Sequence, residues 1–139
     1  EIRSCIVGSE MCIRDRIYIA SKKKKNKVVK LWGTGKPLRE VLYVDQVANA
    51  CEYFLRKKTN KSLINIGSSV EMTIKEYANL IRKKIDNSVS IKFDNNKKLD
   101  GIKRKKLNVS LATQYGWTSD MNFLNMLNKT IKDFIISQK

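Results

Sequence analysis

Residues 32–45 read Trp32-Gly-Thr-Gly-Lys-Pro-Leu-Arg-Glu-Val-Leu-Tyr-Val-Asp45. Gly33, Gly35 and Pro37 mark a tight turn. The β-prone run 28–32 precedes it, and residues 39–44 alternate behind it, so two short strands flank the turn. Asp45 stands where a helix N-cap belongs. Beyond it Val47, Ala50, Cys51, Phe54 and Leu55 recur at helical spacing through about Lys57. Strand, turn, strand and helix in this order put the chain in a mixed α/β class.

Working outward, residues 59–61 are a polar break, and 63–66 are a short apolar strand ended by Gly67 and two serines. Thr73-Ile-Lys-Glu76 is a capping box, and Ile74, Tyr77, Ala78, Ile81 and Ile85 form the buried stripe of its helix. A strand is expected at 89–93 and a long basic loop at 94–106. A short helix follows at 110–115, stopped by Gly116. Ser119 or Asp120 caps a last helix with an apolar face of Phe123, Leu124, Leu127, Ile131, Phe134 and Ile135. Toward the N-terminus, residues 17–22 read as the last turns of a helix. Residues 1–16 lack lysine and show no sustained period, so they are set apart as an unrelated tail of the kind found at the ends of assembled reads. The binding region is then 17–139. Its strands are few and short, which suggests a piece that packs on something else.

The chain has 139 residues, 29 basic and 13 acidic, for a net charge of +16. That length is too short for a nucleotide-binding domain plus a separate substrate domain, which together need about 250 residues. The charge attracts polyanions. Abundant Lys, Asn and Ile with one Pro are also the mark of an AT-rich genome. The absence of histidine excludes a His-based triad or metal site within these residues. Three cysteines without a CxxC argue against a disulfide framework and for the cytoplasm. No run approaches the roughly 18 apolar residues of a membrane span, so no membrane partner is expected.

The turn and its continuation to Asp45 resemble the substrate-domain signature of extended short-chain dehydrogenases acting on nucleotide sugars. The resemblance is closest to the GDP-L-fucose synthase family. It continues in register through Ile64-Asn-Ile-Gly67-Ser68 and Thr73-Ile-Lys-Glu76. Asp100-Gly101, Arg104-Lys105, Leu107-Asn-Val-Ser110 and Gly116-Trp117 complete it. It covers about Ile17 to the end. The chain departs from the pattern at Gln46, Leu99, Lys103 and Asn108, where the family has an acid, a Pro, a Pro and an acid. The resemblance implies the C-terminal substrate-binding part of such an enzyme, with most of the Rossmann domain missing. The parent it implies is a homodimeric, NADP(H)-dependent epimerase and reductase acting on a GDP-sugar. Its Ser–Tyr–Lys set, Cys/His pair and glycine-rich cofactor loop lie in the family's N-terminal two thirds. This chain is therefore expected to hold no catalytic residue and to bind no cofactor alone. Carried over residue by residue, Trp32, Arg39 and Asp100 are substrate-binding.

The chemistry of these three residues supports that role. Arg39 can grip a diphosphate with two parallel bonds, Trp32 offers a flat face, and Asp100 accepts hydrogen bonds. Each has a plainer reading. Trp32 can plug the core, Arg39 can pair with Glu40 or Asp45, and Asp100 can stabilise an Asp-Gly turn. Residues 103–106 are either a basic wall at the diphosphate or a solvated face. Asp45 reads as a helix cap and Cys51 as core. Tyr18 and Lys22 fit YxxxK, but they stand just before Trp32, where the family has no catalytic pair, and are read as an accident. The rivals are another nucleotide-sugar epimerase or dehydratase, and a small basic nucleic-acid module. Lysine clusters at 22–30, 56–61 and 97–106 motivate the second, but they carry no interleaved aromatics, so no nucleic acid is expected.

Overall fold

The computed structural model describes residues 9–119 and 122–138. In chain order the elements are α1 (Ser9–Ser21), β1 (Val28–Leu31), β2 (Leu38–Glu40), α2 (Val44–Arg56), β3 (Glu71–Thr73), α3 (Ile74–Ile85), β4 (Ser90–Phe93), β5 (Arg104–Lys105), α4 (Ser110–Gln114) and α5 (Phe123–Ser137), with a 3-10 turn at Lys97–Leu99. The expected α/β class is the one the chain adopts.

Two apolar clusters hold it together. In the first, β1 and β4 pair in parallel from Val28↔Ser90 to Leu31↔Phe93. Strand alternation turns Val29 and Leu31 inward and leaves Val28 and Lys30 outside. Ile13, Ile17 and Ala20 of α1 and Ile74 and Ala78 of α3 cover the inner face, with Val89 between. Ile81 and Ile85 pack against it, completing the stripe expected for α3. The capping box is formed as expected. Thr73 Oγ1 accepts from the Glu76 amide at 3.1 Å, and Glu76 Oε2 accepts from the Thr73 amide at 2.7 Å. In the second cluster Ala50 of α2 meets Ala112 and Trp117, with Leu42, Tyr53, Phe54, Ile64 and Ile66 around them. Trp117 Nε1 donates to Asn49 Oδ1 at 2.9 Å, and the Tyr53 hydroxyl donates to the Tyr115 carbonyl at 2.7 Å. Gly116 has φ 92°, as a helix stop requires, and a Cβ there would meet the Tyr53 hydroxyl.

Several expectations are corrected. The helix expected at 17–22 begins at Ser9 and runs unbroken through 16/17. Ile13, Ile17 and Ala20 share one face of it, a pattern masked by the charged run Arg14, Asp15 and Arg16. Asp45 is not the cap of α2. Tyr43 holds that position without a side-chain bond, and Asp45 lies in the first turn, paired with Lys129 Nζ at 2.7 Å. Cys51 is exposed rather than core, as are Val47 and, at 87%, Leu55. The buried face of α2 is that of Gln46 and Ala50. Residues 63–66 form no strand, although Ile64 and Ile66 pack inward. The basic loop contains the 3-10 turn and β5. Asn122, not Ser119, caps α5, accepting from the Leu124 amide at 2.9 Å. Asp120 lies outside the described residues. Met126 and Ile131 are the buried residues of α5, and Leu124 is exposed.

Ile17→Ala is expected to cost about 3 kcal/mol, because it leaves a cavity at a fully buried site. Cys51→Ala is expected to change stability by less than about 0.5 kcal/mol, since its side chain faces solvent. Urea denaturation of the two variants checks both.

Candidate functional site

The turn at 33–36 closes on the loop between β4 and β5. Gly33 and Gly35 have φ values of 77° and 72°, which favour glycine. The Gly33 amide donates to Asp94 Oδ1 at 2.8 Å. The Thr34 amide donates to Asp100 Oδ1 at 2.6 Å and its hydroxyl to Asp100 Oδ2 at 2.7 Å. A Cβ on Gly33 would collide with Asp100 Oδ1. The Thr34 amide first, then its hydroxyl, hold the Asp100 carboxyl below the ordinary carboxylate range. Asp100 thus ties two segments together, which goes beyond stabilising its own Asp-Gly turn.

Strand β2 carries the next contacts. Arg39 Nη1 donates to the carbonyls of Leu38 at 2.8 Å and Ile102 at 2.9 Å. The Leu38 amide donates to the Lys103 carbonyl at 2.9 Å. β2 pairs antiparallel with β3 and parallel with β5, placing Leu38 beside Arg104 and Arg39 beside Lys105. Trp32 is 63% exposed, so it does not plug the core. The GTG turn, Arg39 and Asp100 therefore converge on the 100–102 loop, with Trp32 at the edge of the turn.

The basic run 103–106 is divided. Arg104 forks onto Glu71, Nε to Oε1 at 2.8 Å and Nη2 to Oε2 at 2.6 Å, and Lys106 Nζ lies 3.6 Å from Oε2. The Arg104 fork draws the Glu71 carboxyl below its usual range, and Glu71 in turn raises Arg104. Two of the four basic groups are therefore engaged inside the fold.

Sequence reasoning missed a neighbouring pair of clefts. One, of about 530 Å³, is lined by Ser69, Arg104, Lys106 and residues 107–110. The other, of about 460 Å³, is lined by Glu40, Leu42, Ile66, Gly67 and residues 105–107. They share Lys106 and Leu107. Trp32, Arg39 and Asp100 line neither. Gly67, Ser68 and the 107–110 stretch stand in the sequence as parts of a pattern, but no spacing says that they face each other across β2. The YxxxK pair is elsewhere. Tyr18 packs edge-on against Phe134, and Lys22 Nζ sits 4.8 Å from the centre of the Tyr18 ring.

An NADP(H) diphosphate does not fit the GTG turn. The amides at Gly33 and Thr34 are held by Asp94 and Asp100, so an anion there meets carboxylates instead of donors.

Comparison with known proteins places this geometry. Residues 13–67 match the NAD dependent epimerase/dehydratase family. The chain is 37% identical over 102 residues to GDP-L-fucose synthase 1 of Arabidopsis thaliana, covering 73% of this chain and 31% of that protein. It is 34% identical over 119 residues to GDP-L-fucose synthase of Escherichia coli strain K12, covering 79% and 37%. Its fold superposes on a GDP-L-fucose synthetase from Naegleria fowleri bound to NADP with a TM-score of 0.84 at 19% identity, over 94% of this chain and 41% of that one. UDP-glucose 4-epimerase from Thermotoga maritima with UDP-glucose gives a TM-score of 0.78 at 20% identity, over 96% and 41%. The chain spans about a third of the length of the curated relatives it matches. The family resemblance read from the sequence is borne out by the match of residues 13–67 to the NAD dependent epimerase/dehydratase family and by these relatives.

The Asp100–Thr34 contact has a defined pH dependence. The folded carboxyl titrates below the unfolded value of 3.8, so its contribution is full above that value and is lost as pH falls through the folded one. In an NMR pH titration, the Thr34 amide is expected to stay shifted until below the usual carboxylate range. Asp100→Asn is expected to remove that titration at every pH. A Thr34 amide that does not respond to Asp100→Asn would contradict the contact.

Proposed function

We propose that this chain is the GDP-sugar-binding part of an enzyme of the GDP-L-fucose synthase kind. In this reading the binding region runs from about residue 17 to 139. The observation that carries it is the convergence of the GTG turn, Arg39 and Asp100, distant in sequence, on one loop. Arg39 is oriented by two backbone carbonyls, so its guanidinium presents charge to a diphosphate with little further ordering. Trp32 offers its exposed face to the guanine base. Asp100 fixes the turn that carries Trp32 and keeps lone pairs for ligand hydroxyl or amine groups.

The parent enzyme in this proposal uses NADP(H) to convert GDP-4-dehydro-6-deoxy-D-mannose to GDP-L-fucose, as a cytoplasmic homodimer. The relatives named GDP-L-fucose synthase support that choice. The hydride donor would supply the reduction, and the residues here would bind and orient the sugar nucleotide. This chain alone binds but does not catalyse.

A second reading, as a nucleic-acid-binding surface, has one observation in its favour. Lys30 and Lys92 stand opposite each other in the β1–β4 register, with exposed Trp32 next to the end of β1. Like charges so placed repel unless an anion lies over them.

GDP titrated into the chain is expected to quench the exposed Trp32, while buried Trp117 stays unchanged. Arg39→Ala is expected to weaken GDP by about tenfold or more, the loss of a bidentate charged contact. Retained affinity in that variant overturns the Arg39 assignment. A single-stranded oligonucleotide is expected to bind weakly and to lose affinity steeply between about 50 and 200 mM salt, whereas GDP loses less. Oligonucleotide binding that outcompetes GDP in about 200 mM salt favours the second reading.

A further inference from the structure

Glu40 lies on β2, next to Arg39, and its carboxylate holds two distant backbone segments at once. Oε1 accepts from the Ser69 amide at 2.6 Å, and Oε2 accepts from the Leu107 amide at 2.9 Å. Ser69 has φ 61°, a left-handed conformation uncommon for serine, so the bond to Glu40 holds a turn that would otherwise relax. Gly67 packs so closely that a Cβ there would stand 2.6 Å from Glu40 Oε1. Ser69 and Leu107 are also walls of the two clefts, and Glu40 lines the second. One carboxylate thus sets the separation of the 67–69 turn and the 105–107 segment.

The same strand and the GTG turn before it fix the other end of the basic loop. Thr34 holds Asp100, Arg39 holds Ile102, Leu38 holds Lys103, and Glu40 holds Leu107. Without Glu40 the Leu107 amide loses its acceptor, which leaves Lys105 and Lys106 held from that side by weaker ties, the 3.6 Å Lys106–Glu71 pair and the 3.3 Å bond from Asn65 Nδ2 to the Asn108 carbonyl. Arg39 pairs in register with Lys105, so loosening there reaches the diphosphate-binding strand directly.

We infer that Glu40 is a positioning residue for ligand binding. It acts through the backbone of Ser69 and Leu107 to hold the basic segment 105–107 against β2, beside the Arg39 that grips a nucleoside diphosphate in the proposed reading. The inference rests on the GDP-sugar reading above.

The test measures GDP affinity and site-resolved amide exchange on the 139-residue chain and on Glu40→Gln. Gln replaces one of the two acceptor oxygens by an NH2 group, which would face the Ser69 or the Leu107 amide donor to donor. Faster exchange at Ser69, Leu107 or both is expected, with the α1–α3 core unchanged. GDP affinity is expected to fall about tenfold at an unaltered melting temperature. A residue that only stabilised the fold would move the melting temperature and leave the affinity of the folded fraction unchanged. Gly67→Ala displaces the carboxylate without removing it and is expected to reproduce both effects, which keeps the test decisive should Glu40→Gln fail to fold. If the parent chain binds GDP and both variants bind it equally, the positioning role is overturned and the GDP reading stands. If the folded parent chain does not bind GDP, the GDP reading falls and takes the ligand role of Glu40 with it. The exchange data then still report whether the clamp exists.

Discussion

A basic segment has to be held against a strand of this basic chain, and carboxylates do the holding. Lys97, Lys98, Lys103, Arg104, Lys105 and Lys106 crowd into residues 97–106, with Asp100 the only acid in that run. Left to charge alone, such a segment would extend into solvent. Three acids prevent it. Asp100 reaches out of the segment to Thr34, Glu71 reaches in to Arg104 and Lys106, and Glu40 takes the Leu107 amide. These ties add to the backbone bonds of the three-stranded sheet β3–β2–β5. Its third strand is two residues long and would not pair stably on backbone bonds alone.

This constraint explains why the candidate site lies where it does. The GTG turn gives up its amides to Asp94 and Asp100, which removes it from service as a phosphate cradle and makes it a rigid support. Trp32 then stands at the edge of a fixed turn instead of entering the core, which is already filled by Val29, Leu31 and their helical partners. Arg39 lies on the middle strand and gains its orientation from the carbonyl of the same loop. An exposed aromatic before the turn and a held cation after it suit a ligand that has both a ring and a charged linkage. That combination is what the proposed nucleotide-sugar reading uses and a simple polyanion surface would not need, since mobile lysines would suffice there.

What the sequence made legible depended on distance along the chain. The capping box works across three residues, and its geometry is as read. The stripe of α3 repeats within one helix and is buried as read. Asp45 is not the cap because α2 begins at Val44, one residue before it, and its carboxylate meets Lys129, 84 residues away. Helix α2 shows the same limit in apolar form. Gln46, Ala50 and Tyr53 lie on one face, and Val44, Val47, Cys51 and Leu55 on another. Periodicity finds both faces, but it cannot say which one meets Trp117. That choice is made by the indole bond to Asn49, 68 residues from its donor.

The site residues divide by the same rule. Trp32, Arg39 and Asp100 were legible as a set because a family pattern already encodes the long-range relation that spacing does not. Glu40 is inside the same motif, yet its role was hidden. An acid beside an arginine reads as an ion-pair partner, whereas its carboxylate bonds amides 29 and 67 residues away. The glycine at 67 was the available clue. A glycine outside the left-handed region, ending an apolar run, marks a close approach as readily as a turn. Here the approach is to the Glu40 side chain, and Val109 closes on the same glycine. A single methyl group added at Gly67 would therefore displace the carboxylate that the Ser69 and Leu107 amides share.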